Sequence, residues 1–259
     1  MPLFTVDEPQ PKLIPPIKSW RGDMPGNQEP QLIPPQLHWL TSQSDVYLEM
    51  PRYSTEVAWG LMIPLIFSTF IAAIFISFIF FSVNYYPFNA IGVVILVMMF
   101  SFIFFGLKMY FVVPRDQPLR LNRKRQKIYV YEYNRSRLPW LKWPVSIKSY
   151  HWADVHGEVR LSSARYDLGF QLYGSVCEPG TNNVITRFLI TKDRFSQALL
   201  SQTWSYLCIY MKNDDVSVEP LQSGRPDYWK PRKADKWPAD MDLESTTGPD
   251  GETAGASSH

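Results

Sequence analysis

The chain has 259 residues, of which 46% are hydrophobic, 15% aromatic and 19% charged, with a formal net charge of +2. A near-neutral charge disfavours a nucleic-acid-binding protein, and this aromatic content excludes wholesale disorder. The mean hydropathy of −0.17 suits a soluble protein, but the 51 residues from Val57 to Leu107 contain no Asp, Glu, Lys or Arg. This uncharged stretch excludes a simple cytosolic enzyme.

Residues 1–56 form a proline-rich arm that carries 10 of the 22 prolines and repeats the motif P-x-L-I-P-P-x-x-x-W at an offset of 19 residues. Proline pairs stiffen the chain into polyproline II, while Leu, Ile and Trp supply apolar anchors. We predict a pair of docking motifs, for a partner protein or for the chain's own domain; the alternative is a linker with chance similarity. The predicted partner-binding residues are Leu13, Ile14, Pro15, Pro16, Trp20, Leu32, Ile33, Pro34, Pro35 and Trp39.

Residues 57–113 predict a transmembrane hairpin. The two apolar runs, 58–82 and 90–113, each exceed the roughly 20 residues that a helix needs to cross the hydrocarbon core. Between them, Asn84 to Asn89 contains Asn, Pro and two tyrosines, which suit a turn at a membrane interface. A pair of buried core helices is the alternative, but such runs are usually about 10–14 residues long.

The orientation follows from Lys and Arg near the ends of the spans. Six basic residues follow the second span within 20 residues, whereas the loop between the spans has none. This asymmetry predicts a cytoplasmic C-terminal side and, across two spans, a cytoplasmic N-terminus. Lys108 lies close to the predicted end of the second span, where its long side chain can reach the headgroups.

Residues 114–213 predict a sheet-plus-helix domain with about six short antiparallel strands. Helical spacing then predicts one helix near 193–212, with Asp193 as its N-cap. The fold class is therefore an α+β membrane protein, in which a small antiparallel sheet or partial barrel is closed by a C-terminal helix. This element order resembles pleckstrin-homology-like domains. The predicted strands are Leu119 to Asn122, Ile128 to Tyr133, Ser146 to Trp152, Val155 to Leu161, Phe170 to Tyr173 and Val184 to Thr191.

The remaining residues, 214–259, are polar and end in a Gly/Ser/Thr-rich stretch, which predicts a disordered tail.

No sequence motif predicts catalysis, a cofactor or a metal. Cys177 and Cys208 lack metal-ligand spacing and lie in the segment predicted to be cytoplasmic, so we expect reduced core residues; the alternative is a disulfide or a reactive thiol. His151 and His156 are expected on opposite faces of the sheet. A turn at Gly157 is expected to interrupt the strand. We therefore expect a non-enzymatic protein; an enzyme acting on lipid is the least supported alternative.

The basic run from Arg123 to Lys127 is interpreted first as a topology signal and second as a contact with anionic lipid headgroups; a nucleic-acid site is hardly supported. The predicted membrane-surface residues are Arg120, Arg123, Lys124, Arg125 and Lys127. Nearby, Trp140 and Trp143 flank Lys142, and we expect these tryptophans either at the membrane interface or plugging the open end of the sheet.

The stretch from Trp59 to Met211 resembles a family of bacterial inner-membrane proteins of unknown activity. The residues that carry the resemblance are Leu121-Asn122-Arg123 with Ile128-Tyr129, Trp152-Ala153-Asp154-Val155, and Trp204, Leu207, Tyr210 and Met211. Members often occur beside type VI secretion genes, including toxin and immunity pairs. The resemblance implies a secretion-associated accessory or immunity protein whose partners are membrane lipids and a protein such as a type VI toxin or secretion component. The alternative is a lipid- or protein-binding membrane scaffold unrelated to secretion.

Overall fold

The computed structural model describes residues 10–52, 56–82, 86–134, 136, 138, 141–164, 167–214, 219–223, 225 and 229–249. The α-helices in these ranges are α1 (Glu56–Phe81), α2 (Tyr86–Val112), α3 (Gln197–Met211) and α4 (Ala239–Thr246). The first strands are β1 (Trp20–Asp23), β2 (Trp39–Leu40), β3 (Ser42–Gln43), β4 (Tyr47–Met50), β5 (Leu119–Asn122) and β6 (Lys127–Tyr133). The others are β7 (Val145–His151), β8 (Val155–Ala164), β9 (Asp167–Cys177), β10 (Val184–Asp193) and β11 (Gln222–Ser223).

Two long apolar helices, α1 and α2, pack side by side, and both are long and apolar enough to cross a membrane. Only 6% and 11% of their most apolar windows are buried, whereas a core helix of a soluble protein buries its apolar stripe. The helices approach closely at Gly92, where an added Cβ would lie 2.6 Å from the Phe80 ring. Helix α2 begins earlier than the predicted span, at Tyr86, while Asn84 and Tyr85 of the predicted turn lie outside the described residues.

The two strands that flank the helix pair in the chain, β4 and β5, pair with each other. Strand β4 immediately precedes α1, strand β5 follows α2, and the two pair antiparallel with Leu48 opposite Leu121 and Met50 opposite Leu119. The chain therefore enters and leaves the helix pair at the same end.

Strands β3 to β7 form a five-stranded sheet in chain order. Side chains alternate between the faces of a strand, so one face carries apolar residues and the other polar ones. The apolar face contributes Leu48, Met50, Leu119, Leu121, Ile128 and Val130 to the core. The opposite face carries Glu49, Arg120, Asn122, Lys127, Tyr129 and Tyr131.

A second sheet has the strand order β1-β8-β9-β10. The predicted strands are present but longer, and no turn forms at Gly157, which pairs with Gly174 inside the β8–β9 ladder. A Cβ at Gly157 would lie 2.8 Å from the Met24 side chain and 3.0 Å from Trp204. The prediction of a turn was wrong because glycine here provides room for close packing.

Helix α3 packs on the second sheet and fills the core. Trp204 is fully buried, with its ring 5.4 Å from that of Trp152. The side chain of Ser196 caps the helix by accepting a hydrogen bond from the Leu199 amide. Asp193 instead accepts bonds from the amides of Phe195 and Ser196 in the preceding turn, so its prediction as N-cap was wrong. Both sheets are open, and neither closes into a barrel.

Both chain ends are built into this domain, contrary to the predicted boundaries. The arm supplies β1 to β4, and β1 pairs with β8 at a sheet edge. The expected disordered tail contains β11, which pairs in parallel with β2, and α4, which lies on the five-stranded sheet. Composition suggested disorder because the tail is polar, but its polar groups find partners on the sheet. Residues 250–259 of that predicted tail lie outside the described residues.

Candidate functional site

The first copy of the repeated motif docks on the chain's own domain. Leu13 is only 4% exposed. The Ile14 amide donates to the Asn182 carbonyl at 2.9 Å, and Arg187 donates to the Pro15 carbonyl. Trp20 lies in β1, and its indole N–H donates to Asp23 at 2.8 Å. Pro15 and Pro16 are exposed.

The second copy runs along α3 with a different pattern of burial. Its backbone is held because Ser205 donates to the Ile33 carbonyl at 2.7 Å, and its anchor is the fully buried Leu37. Leu32, the counterpart of Leu13, is 91% exposed, and Ile33 is 38% exposed. In the same copy, Pro34 and Trp39 are exposed and Pro35 is half-buried.

A mostly apolar cleft of about 250 Å³ lies between the arm, β8 and α3. Leu32 and Ile33 belong to its wall and also face solvent, so they extend the apolar surface beyond the cleft. The other wall residues are Gly22, Asp23, Met24, Pro25, Gln31, Val159, Gln197 and Ser201. This cleft can receive an apolar side chain of another molecule.

The predicted membrane-surface residues lie elsewhere, on β5, β6 and the turn between them. Four of the five form ion pairs or hydrogen bonds with other segments of the chain. We name as the donor face the residues Arg120, Asn122, Arg125, Lys127 and Tyr129, and as the strap the residues 229–248, which cover this face.

Arg120 is at the centre of the donor face. Its side chain is 9% exposed, and Nε lies 2.5 Å from the Glu49 carboxylate of β4. Nη1 donates to Asp242 at 2.6 Å and to the Ser245 hydroxyl at 2.8 Å. The Trp237 ring lies 4.4 Å from its guanidinium carbon. Arg120 therefore joins both chain ends to β5, and its burial is incompatible with the predicted contact to lipid.

The rest of the donor face binds the strap through hydrogen bonds. Asn122 donates to the carbonyl oxygens of Ser245 and Thr247. Arg125 donates to the carbonyl oxygens of Thr247 and Gly248 at 2.9 and 2.8 Å.

Glu244 completes the contact. Its carboxylate accepts bonds from Lys127 at 3.0 Å and from the Tyr129 hydroxyl at 2.9 Å. These bonds, with that of Lys127 the stronger, lower the pKa of Glu244, whereas burial and Glu244 together raise the pKa of Tyr129.

The two remaining basic residues of the turn differ from this pattern. Arg123 donates to the Asp45 carbonyl at 2.7 Å and pairs with the exposed Asp45 carboxylate at 3.3 Å. Lys124 is exposed.

A buried acidic pair lies beside the donor face. The Glu49 carboxylate contacts Arg225 at 2.8 Å, and Arg225 also lies 3.6 Å from the carboxylate of Asp116. Burial raises the pKa of Asp116 to about 7; Arg225 opposes this rise, and the neighbouring Glu49 adds to it.

The start of the strap is tied to the end of α2. Arg232 donates to the carbonyl oxygens of Tyr110 and Val113. Asp235 pairs with Arg115 at 2.7 Å and with Arg232 at 3.2 Å. Burial would raise the pKa of Asp235, but the hydrogen bonds from Arg232 and Arg115 outweigh burial and lower it.

The loop before β7 contacts the same helix end. Lys108 donates to the Leu141 carbonyl at 2.6 Å and lies 4.4 Å from the Trp143 ring centre. Trp143 also packs edge-on against Phe105. Trp143 therefore lies beside α2, whereas Trp140 lies outside the described residues.

Cysteine and histidine side chains in the described part of the chain could supply metal or nucleophile chemistry. Cys177 and Cys208 are free and buried, and burial raises the pKa of Cys208 to about 12. Burial likewise lowers the pKa of His156. Within the described residues, no group of three His, Cys, Asp or Glu side chains is placed to hold a metal ion.

Sequence reasoning missed the acidic residues that complete the donor face, above all Glu49, Asp242 and Glu244. One signal was available: the tail carries the acidic helical segment Asp240 to Glu244, while residues 114–213, which contain the basic run, carry 16 Lys and Arg against 7 Asp and Glu.

The fold and these sites define an α+β protein with two long apolar helices and a domain completed by both chain ends. The sequence model of a family of unknown function, DUF6708, matches residues 96–227, which is about half of the chain. The chain belongs to this family. No curated protein and no solved structure matches it.

Proposed function

We propose that this chain is a non-enzymatic protein of the bacterial inner membrane that serves type VI secretion as an accessory or immunity factor by binding another protein. The two apolar helices would span the membrane, and the β4–β5 pairing supports placing both chain ends on one side. The basic residues after α2 favour the cytoplasm as that side. The domain would act as a membrane-held module whose element order resembles pleckstrin-homology-like domains.

The observation that carries the binding role is the exposed second motif copy. Two copies of one motif occupy the same domain, yet of their two equivalent leucines Leu13 is buried and Leu32 is exposed. Leu32 and Ile33 instead flank an apolar cleft, where a protruding apolar side chain of a partner can be buried. Burial of such a side chain contributes about 1.5–3 kcal/mol.

A competition assay tests this role. We expect Leu32→Ser with Ile33→Ser to lower survival against sibling attackers, or to lower secretion, by at least ten-fold relative to wild type. The control is Ile185→Ser, which removes an apolar residue that is 64% exposed on β10. Unchanged survival and secretion in the double variant and in a deletion strain would refute the function.

The orientation has its own test. Alkaline phosphatase fused after Asn84 should be active in the periplasm, and a fusion after Asn213 should be inactive. The reverse pattern would refute the cytoplasmic placement.

A lipid- or protein-binding scaffold unrelated to secretion is the second candidate, supported by the contact of Lys108 and Trp143 beside α2. Its lipid-binding form predicts that Lys124→Gln weakens binding of the purified chain to anionic vesicles. Equal vesicle binding would count against that form.

A further inference from the structure

The donor face and the end of the strap are chemically complementary. In every described hydrogen bond between them, the donor face donates and residues 242–248 accept. Two acceptors are carboxylates, Asp242 and Glu244. They are followed by backbone carbonyls, of which that of Thr247 accepts from both Asn122 and Arg125. Such a surface recognises a short acidic helix by its charges and by its C-terminal carbonyl groups.

This attachment depends little on apolar burial. Leu243, the large apolar side chain between the two carboxylates, is 64% exposed. The strap residues buried next to it are the small Ser245 and Thr247. Helix α4 has 8 residues, and an isolated helix shorter than about 12 residues is marginal in water. The helix therefore depends on the donor face for its structure.

The donor face and the segment that fills it also differ in their relation to the family. All residues of the donor face lie within the matched region, residues 96–227, whereas the strap lies beyond it. The binding surface thus lies in the part of the chain that the family model matches, and its occupant lies outside that part.

We propose that the donor face is a docking site for a short acidic segment of a partner protein, which residues 239–248 occupy in cis until the partner displaces them. The proposal rests on the proposed function and deepens it, because it gives the partner a chemistry. The partner segment carries two carboxylates two positions apart, as Asp242 and Glu244 are, and then exposes helix C-terminal carbonyls.

The test uses the full chain in detergent and a fluorescein-labelled peptide of residues 236–249. Asp242→Asn with Glu244→Gln weakens the cis contact without removing bulk. We expect this opened chain to bind the peptide at least ten-fold more tightly than wild type, whose own strap competes. Asp240→Asn with Glu219→Gln removes the same charge at exposed positions and should leave binding at the wild-type level.

Two further variants locate the site. A peptide that itself carries Asp242→Asn and Glu244→Gln should bind the opened chain at least ten-fold more weakly. Adding Arg125→Gln and Lys127→Gln to the opened chain should cause a similar loss. Equal binding of both peptides, or equal binding by opened and wild-type chains, would overturn the proposal.

Other occupants give different results. A dimer whose fraction rises with protein concentration in light scattering would assign the face to the strap of a second copy. Binding of the opened chain to phosphatidylserine vesicles without competition by peptide would assign the surface to lipid. Either result would overturn the proposal.

A second measurement needs no substitution in the protein. Excess peptide added to the wild-type chain should accelerate amide hydrogen exchange in residues 239–248, and unchanged exchange would refute displacement. Peptide binding is measured on the purified chain, without a secretion or survival assay. The secretion and survival assays use substitutions at the separate surface around Leu32. Each proposal can therefore fail while the other holds.

Discussion

The two chain ends complete the same domain by different chemistry. The arm adds strands to sheet edges, with β1 on β8 and β4 on β5, and places Leu13 and Leu37 among buried residues. The strap instead lies across the polar face of one sheet and is held by charged and polar side chains. Backbone ladders and apolar burial resist salt, whereas partly exposed charge pairs do not. The arm is therefore held mainly by contacts that salt does not weaken, whereas part of the attachment of the strap consists of charge pairs that salt screens.

The largest effect is expected where both ends meet. Arg120→Gln leaves the buried Glu49 carboxylate without its closest cation, and removing one partner of a buried pair costs about 3–5 kcal/mol. Urea unfolding in detergent, followed by tryptophan fluorescence, measures the loss. Arg123→Gln is the matched control, since its partner Asp45 is exposed, and should cost about 1 kcal/mol or less. Equal losses would mean that the Arg120 cluster does not join the two ends.

The next prediction compares the two motif copies within the arm. Leu13→Ala empties a buried position and should lower the free energy of unfolding by about 2–5 kcal/mol. Leu32→Ala, at the equivalent exposed position, should change it by about 0.5 kcal/mol or less. The same urea titration measures both. Similar values for the two variants would contradict the difference in their burial.

A smaller, pH-dependent effect is expected beside the strap. The pKa of Asp116 is raised by burial from its ordinary value of 3.8 to about 7, so the folded chain keeps a proton that the unfolded chain releases above about pH 4. The stability from this group is full at about pH 4 and decreases toward pH 7, by about 1.4 kcal/mol per pH unit at most. Asp116→Asn should flatten this part of the stability profile. An unchanged slope between pH 5 and 7 in the variant would contradict the raised pKa.

The smallest effect concerns one strap contact. Lys127 and Glu244 form a partly exposed pair, so a double-mutant cycle with Lys127→Gln and Glu244→Gln should give a coupling of about 0.2–1 kcal/mol. The coupling should fall as NaCl rises from 50 to 500 mM, because salt screens exposed charges. A coupling free energy that does not change with salt would contradict the expected difference in salt sensitivity between the strap and the arm.

Much of the domain was predictable because its periodicities are strong. Uncharged runs indicated α1 and α2, alternation indicated β5 and β6, and helical spacing indicated α3. The contribution of the arm to both sheets was not predictable, because strands such as Ser42–Gln43 are too short to show a period. The turn at Gly157 was wrongly predicted because the sequence alone does not distinguish a glycine within a strand ladder from a glycine in a turn.

The site was less predictable than the fold. The basic run was identified, but its acidic partners are distant in the chain: Asp45 lies 78 positions from Arg123, and Glu244 lies 117 positions from Lys127. Local sequence shows a cluster of charge and leaves open whether lipid, a partner or the chain itself neutralises it. The two motif copies show the same limit of local sequence: Leu13 and Leu32 occupy equivalent positions in the motif, yet Leu13 is buried and Leu32 is exposed.

The pairing of β4 with β5 has a consequence for biosynthesis. Glu49 and Arg120 are 71 positions apart, and both apolar helices lie between them. On a ribosome that adds about 5–20 residues per second, β4 waits several seconds for its neighbour. The five-stranded sheet can therefore form only after both helices have been synthesised, so the folding of the domain follows the synthesis of the whole apolar hairpin.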